Sequence, residues 1–163
     1  MRTKRNSLIF LFLAVISLLT VAACSSQSMA NSTVKQVTIN PQISGDVVSL
    51  SLSAVESNIN SRFLVKTATH TLSFMAYEYD TQLYVRADIC PPCGSESFTL
   101  TKGTLVCDRC GTVFNAKTGI GMKGSCLRYA KQSVSYEIVD GTIQMKSADL
   151  TIAFQNTLKP VKS

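Results

Sequence analysis

The sequence predicts a small, mostly β domain, a barrel or a sandwich, with cysteines in the loops between its strands. Residues 46–55 alternate between polar and apolar side chains, which is typical of a strand with one buried face. Asp140-Gly141 between two apolar runs is a strong two-residue hairpin signal. Two C-x2-C-G segments, residues 90–94 and 107–111, interrupt the strand-rich region, and no long segment has a convincing helical period.

The first residues have the features of an export signal. Arg2, Lys4 and Arg5 form a basic start, and residues 8–19 form an apolar run too short to span a bilayer comfortably. An uncleaved N-terminal anchor helix is the alternative interpretation. Either interpretation places the domain outside the cytoplasm on a membrane.

Residues 21–24, V-A-A-C, resemble the bacterial lipobox. That resemblance implies cleavage before Cys24 and attachment of lipid to its sulfur. Under this interpretation residues 1–23 are a signal peptide, residues 24–33 are a flexible tether, and residues 34–163 form a single β-rich domain.

The charge balance argues against nucleic acid as a partner. The signal segment holds three of the 16 basic residues and none of the 10 acidic ones, so 13 basic and 10 acidic residues remain in the mature chain. A small positive excess is not the electrostatic footprint of a nucleic-acid-binding protein.

Short runs rich in aromatic and β-branched residues predict the strands in order along the chain. A hairpin turn is expected at residues 79–81, a helical turn within 55–61, and a last strand at 151–154. The predicted strands are residues 36–39, 46–55, 61–66, 70–78, 82–87, 98–100, 104–106, 133–139 and 142–146.

The paired cysteines indicate a metal site. Cys90 and Cys93, like Cys107 and Cys110, are two residues apart and followed by Gly, which tolerates the sharp turn that such a knuckle needs. The spacer, residues 95–106, predicts a hairpin that brings the knuckles side by side. Four thiolates suit zinc, iron or an iron–sulfur cluster.

Two other uses of these cysteines stay open. An exported protein often oxidises its thiols, so two disulfides are one alternative. Cys90-Pro-Pro-Cys93 is also similar to a thioredoxin-type redox motif, which needs a helix beginning at the first cysteine. The residues after Cys93 do not predict a helix, so metal binding is the favoured interpretation.

Residues 105–119 resemble the second ligand loop of Rieske proteins. Cys107 falls on the Cys ligand of that loop, Cys110 on its His ligand and Phe114 on its aromatic residue. Residues 136–145 resemble the closing hairpin of the same fold. Here Cys replaces both His ligands, and the first loop has one more spacer residue. A cluster bound by thiolates instead of imidazoles has a lower potential, so a Rieske-type high potential is not implied.

Residues 60–130 are similar to the FtrD-like family of membrane iron–sulfur proteins, also described as a domain of unknown function. The resemblance implies an iron–sulfur cofactor, electron transfer linked to bacterial iron uptake, and a membrane permease or redox protein as partner. Many members span the membrane several times, whereas this chain is expected to be a lipoprotein carrying the soluble domain. The matching segments are residues 85–90, 90–94, 105–111, 120–121 and 124–126.

Two further residues are candidates for the site. The resemblance gives Cys126 a site role, as a fifth nearby sulfur or an alternative ligand, and a buried free thiol is its other interpretation. His70 is the only histidine and opens a predicted strand, so ligation by its imidazole is not expected.

Three functions follow as hypotheses. The first is electron transfer through a cysteine-ligated iron–sulfur cluster. The second is a structural zinc site in an interaction domain. The third is metal carriage or thiol redox chemistry through Cys126. A hydrolytic or group-transfer enzyme is not expected, because no nucleophile–base arrangement is present in the sequence.

Overall fold

The computed structural model describes residues 32–161, and the lipobox cysteine Cys24 lies outside them. Within this range the chain forms thirteen strands and two helices. The helices are α1 (Leu52–Asn58) and α2 (Ser147–Thr157). The strands are β1 (Thr33–Val34), β2 (Val37–Thr38), β3 (Gln42–Ser44), β4 (Val47–Ser51), β5 (Asn60–Lys66), β6 (Thr71–Tyr79), β7 (Gln82–Ala87), β8 (Phe98–Thr101), β9 (Thr104–Cys107), β10 (Val113–Asn115), β11 (Gly121–Lys123), β12 (Glu137–Val139) and β13 (Thr142–Lys146).

The strands form three sheets in the described part of the chain. Their orders are β1-β8-β9-β10-β11, β12-β13-β4-β3 and β2-β5-β6-β7. Only β2 and β5 pair in parallel, and every other pair of neighbours among these described strands is antiparallel. The predicted mostly β fold, with cysteines in its loops, is confirmed.

Three hairpin turns lie at or within the predicted positions. Asp80-Thr81, Lys102-Gly103 and Asp140-Gly141 all have φ between 47° and 73°. Successive positive φ values give a turn whose twist matches that of the strands it joins, and Gly or Asp tolerates them best. Local turn chemistry therefore fixes the hairpins β6–β7, β8–β9 and β12–β13.

The larger hydrophobic cluster lies between two of the sheets and α2. Phe63 of β5 and Phe74 of β6 stack with ring centroids 5.5 Å apart, and Phe154 of α2 meets Phe74 edge-on at 6.0 Å. Leu150 of α2 and Met145 of β13 complete this side of the cluster. We call it the main core, and it contains no cysteine.

A second cluster lies against the cysteine-bearing sheet. Phe98 of β8 and Phe114 of β10 meet edge-on with ring centroids 5.9 Å apart. They pack with Leu105 and with the buried cysteines at positions 90, 107 and 126. We call this cluster the cysteine core. It is joined to the third sheet by Tyr77 of β6, whose hydroxyl donates to the Ala116 carbonyl at 2.6 Å.

The prediction of one strand through residues 46–55 was wrong in its second half. The strand β4 ends at Ser51, whose side-chain oxygen accepts a hydrogen bond from the Ala54 amide at 3.3 Å and caps helix α1. Polar and apolar residues continue to alternate after Ser51, but there they form helix α1, which buries Val55. The helical turn expected within 55–61 begins earlier, at Leu52.

The predicted strand at 151–154 was also wrong, because these residues lie in α2. Leu150, Ala153 and Thr157 are buried at helical spacing, and the β-branched Thr151 and Ile152 concealed that period in the sequence. The strand expected at 133–139 is shorter, since only Glu137–Val139 is in β12. Between residues 32 and 161, neither helix has the length and apolarity needed to cross a membrane.

Candidate metal centre

The two C-x2-C-G segments fold into the same tight turn. The Gly94 amide donates to the Cys90 carbonyl at 2.8 Å, and the Gly111 amide donates to the Cys107 carbonyl at 2.9 Å. Both glycines have positive φ, 67° and 68°. A side chain at that φ would be strained, so glycine lets each chain segment turn away after its second sulfur.

The hairpin β8–β9 brings the two turns together. Cys107, at the end of β9, stands opposite Phe98 at the start of β8. The Cys90 amide donates to the Ser95 carbonyl at 2.8 Å, and the Asp108 amide donates to the Ser97 carbonyl at 3.0 Å. Backbone hydrogen bonds therefore hold both turns at the same end of one hairpin, as the spacer length predicted.

The four knuckle sulfurs form one compact group. The Sγ atoms of Cys90, Cys93, Cys107 and Cys110 all lie within 4.8 Å of one another. Cys90 and Cys110 are separated by 3.9 Å, and Cys93 and Cys107 by 3.7 Å. Four sulfurs placed about 2.3 Å from one tetrahedral ion lie about 3.8 Å apart, so this donor set fits a metal ion.

The distances between the sulfurs and the local fold also bear on the two other uses of these cysteines, disulfide bonds and thioredoxin-type redox chemistry. A disulfide bond is about 2.05 Å long, and the five cysteines in residues 32–161 are all free thiols. The segment after Cys93 forms a glycine turn and then β8, and no helix begins at Cys90 as thioredoxin-type chemistry requires. A cluster with two or more irons divides the thiolates among the irons, so its sulfurs would have to move apart.

Burial separates the four thiols into two kinds. Cys90 and Cys107 are buried, and burial raises the pKa of both thiols. Cys93 and Cys110 are half-buried. Burial alone would raise the pKa of the Cys110 thiol, but hydrogen bonds with Thr112 and with the neighbouring sulfurs outweigh it and lower that pKa to about 6. Metal ligands must be thiolates, so a cation that binds here displaces protons from the buried thiols.

Cys126 is a fifth sulfur beside this group. Its Sγ lies 3.8 Å from the Cys110 Sγ, and its side chain is buried. The Cys126 amide donates to Thr112 Oγ1 at 3.2 Å. Gly124 allows this approach, because a Cβ there would lie 2.6 Å from Thr112 Oγ1. The structure thus places Cys126 next to the four knuckle cysteines but outside their compact set.

Several buried charges near the cysteines had no signal in the sequence. Arg86 donates to Tyr77 Oη and to the carbonyls of Lys131 and Lys117, which ties the loop before β12 to the turn between β10 and β11. Asp88 is fully buried, and burial raises its pKa to about 7. Lys131 is 1% exposed. Charged residues are recognised as buried only when distant segments meet, so local patterns could not identify them.

The remaining candidates lie away from the site. His70 is exposed, and its amide donates to Thr67 Oγ1 at 3.0 Å in the loop before β6. Of the sequence-predicted residues within 32–161, the structure therefore brings together five cysteines and leaves the histidine apart. The lipidation predicted at Cys24 stays a prediction.

Comparison with known proteins gives one family and a structural likeness. The model of the family described as "Membrane iron-sulfur containing protein FtrD-like" matches residues 55–156. No curated protein matches the chain significantly.

Two solved structures are similar in part. A chain in the complex of reduced oxygenase and oxidized ferredoxin in carbazole 1,9a-dioxygenase is 19% identical, with a TM-score of 0.44, over 53% of this chain and 80% of that one. The ferredoxin of Sphingomonas yanoikuyae B1 is 16% identical, with a TM-score of 0.43, over 52% of this chain and 83% of that one.

Proposed function

The chain belongs to the FtrD-like family of membrane iron–sulfur proteins, and we propose that it carries electrons outside the cytoplasm through an iron centre bound by its knuckle cysteines. In this proposal Cys90, Cys93, Cys107 and Cys110 supply the four thiolates. The iron supplies one-electron chemistry when bound. Hydrolytic or group-transfer activity is not part of the proposal.

The observation that carries the proposal is the compact group of four sulfurs, all within 4.8 Å of one another. Two rigid turns hold the sulfurs before any ion binds, so little reorganisation is needed when an ion binds or changes charge. The pairing of β8 with β9 fixes Cys107, the hydrogen bond from the Cys90 amide to the Ser95 carbonyl fixes Cys90, and the glycine turns fix the second cysteine of each pair.

The two kinds of cysteine suggest different roles. Cys90 and Cys107 face the cysteine core, where Phe98 and Phe114 exclude water from one side of the group. Cys93 and Cys110 are half-buried and lie at the edge nearest solvent. We propose that a redox partner approaches this edge, because electron transfer needs close approach to the centre and no substrate pocket.

Membrane attachment and the link to iron uptake belong to the same proposal. The lipobox-like residues 21–24 support a lipid at Cys24 and a position outside the cytoplasm. The family resemblance supports a membrane permease or redox protein as partner.

Metal analysis of the full chain, purified in detergent without oxygen, tests the proposal. Iron, zinc and acid-labile sulfide are measured together with the visible spectrum. About one equivalent or more of iron, with a spectrum that bleaches reversibly on reduction, is expected. Labile sulfide would identify a cluster, whereas iron without sulfide would identify a single four-thiolate iron. Zinc in place of iron would contradict electron transfer.

A structural zinc site is the second candidate, and the same sulfur geometry favours it. Zinc also takes four thiolates in a tetrahedron, and such sites contribute folding energy without redox chemistry. The two candidates differ in one result: the zinc protein is colourless and has no reduction potential.

A further inference from the structure

Lys131 occupies an unusual position for a lysine. Its side chain is 1% exposed, although lysine almost always reaches water with its ammonium group. The Nζ atom lies 4.5 Å from the ring centroid of Phe114 and 5.1 Å from that of Phe98. Both rings belong to the cysteine core, so this cation lies within the wall that supports the sulfur group.

The ammonium has few partners of its own. It donates to the carbonyl of Ile89, the residue before Cys90. Within residues 32–161 no carboxylate lies within 4.0 Å of it. Asp88 Oδ2 lies 3.2 Å from Ser73 Oγ and 3.6 Å from Arg62 Nε, and Asp88 Oδ1 has no hydrogen-bond partner. An ammonium group has three protons to donate. A buried ammonium group whose charge and protons are only partly compensated destabilises a fold.

The sulfurs and Asp88 are the negative groups that act on this ammonium. Burial lowers the pKa of Lys131, and the Cys90 thiol, the Asp88 carboxyl and the thiols of Cys107 and Cys126 oppose that shift. Four thiolates with one ferric ion carry a net charge of −1, and reduction to ferrous iron makes that charge −2. The two aromatic faces toward Nζ add cation–π attraction and keep water out.

We infer that Lys131 is a positioning residue whose buried ammonium offsets the negative charge of the metal-bound thiolates. This inference rests on the proposed function, because the thiolates become fully charged only when metal is bound. The cation favours the loaded site over the empty one, and it favours the reduced iron over the oxidised iron. It thereby strengthens metal binding and raises the reduction potential.

Lys117 is a natural control. It also lies over an aromatic ring, that of Tyr79 at 5.8 Å, and its ammonium pairs with Asp80 at 2.5 Å. Its side chain is 50% exposed. Lys117→Met therefore removes a lysine over a tyrosine without removing a buried charge beside the sulfurs.

The test compares wild type, Lys131→Met and Lys117→Met as full chains without oxygen. Co2+ binding is followed by its thiolate absorption, and the midpoint potential is measured after loading with iron. Lys131→Met is expected to bind Co2+ at least tenfold more weakly. Its potential is expected to fall by at least about 59 mV, which is a tenfold change in a one-electron equilibrium. Lys117→Met should match wild type in both measurements.

Thermal unfolding of the metal-free proteins separates this role from ordinary packing. Loss of a buried charge should leave metal-free Lys131→Met at least as stable as wild type, and a packing role would make it less stable. If Met does not fit, Lys131→Gln gives the same comparison, because its amide still donates to a carbonyl. Unchanged Co2+ affinity and potential would overturn the inference alone. A wild-type chain that binds no Co2+ would overturn the proposed function as well.

Discussion

The main core and the cysteine core are stabilised in different ways. The main core packs Phe63, Phe74 and Leu150 from strands and a helix, and none of its buried members is a cysteine. The cysteine core has ten buried members, and three of them are Cys90, Cys107 and Cys126. Hydrophobic burial therefore supports the first region by itself, whereas the second leaves thiols where larger apolar side chains would pack.

The cysteine core lacks the apolar packing that stabilises the main core. Strands β10 and β11 have three residues each, and Phe114 is the one buried residue among the six. Small regions of this kind usually need a metal or a disulfide. The five cysteines within residues 32–161 are free thiols. Metal should therefore stabilise the cysteine core and leave the main core unaffected.

The largest expected effect is that of Cys107→Ser. A buried serine cannot replace a thiolate ligand, so the variant should lose most of a binding free energy that is about 10–16 kcal/mol for structural zinc in small domains. Hydrogen exchange should accelerate in β8–β10 and stay slow in β5 and β6. Cys126→Ser is the control, since Cys126 lies outside the compact set, and it should retain metal. Equal metal content in all three proteins would contradict the four-cysteine site.

The next effect is that of Phe74→Ala in the main core. The ring is fully buried between Phe63 and Phe154, so its loss should cost about 3–5 kcal/mol of unfolding free energy. The cost should be the same with and without metal, as measured by urea unfolding of both forms. A cost that depends on metal would show that the two cores are not independent.

Metal affinity should also depend on pH. The expected change in binding free energy per pH unit is smaller than the cost of Phe74→Ala. Burial raises the pKa of the Cys90 and Cys107 thiols, so binding must release two protons, and affinity should rise by about a hundredfold per pH unit. Cys110, with a pKa of about 6, adds a further proton only at lower pH. Co2+ titrations between pH 5.5 and pH 8 measure this slope. A flat profile would mean that the buried thiols are not ligands.

The smallest expected effect is that of Glu96→Gln. Glu96 joins the first cysteine turn to β5 through an ion pair with Arg62 at 2.7 Å, but both side chains are partly exposed. An ion pair of this kind contributes at most about 1 kcal/mol. Thermal unfolding and Co2+ affinity should therefore change little. A large loss of metal in Glu96→Gln would contradict this expectation and show that the ion pair between Glu96 and Arg62 contributes to metal binding.

The features that sequence predicted are local ones. Positive-φ turns such as Lys102-Gly103 and the glycines after each C-x2-C pair depend on a few neighbouring residues, so the hairpins and knuckles were predicted correctly. Helix α2 was missed because its β-branched residues favour strands and only packing on the main core decides its form. The burial of Lys131 could not be predicted, since its position requires Phe98 and Phe114 to meet from separate strands.

Iron K-edge X-ray absorption of the iron-loaded full chain tests the central claim most directly. If Cys90, Cys93, Cys107 and Cys110 hold the iron, the first coordination shell contains four sulfurs at about 2.3 Å. Cys107→Ser should remove that signal. A first shell dominated by oxygen or nitrogen would contradict the assignment of the compact sulfur group as the metal centre.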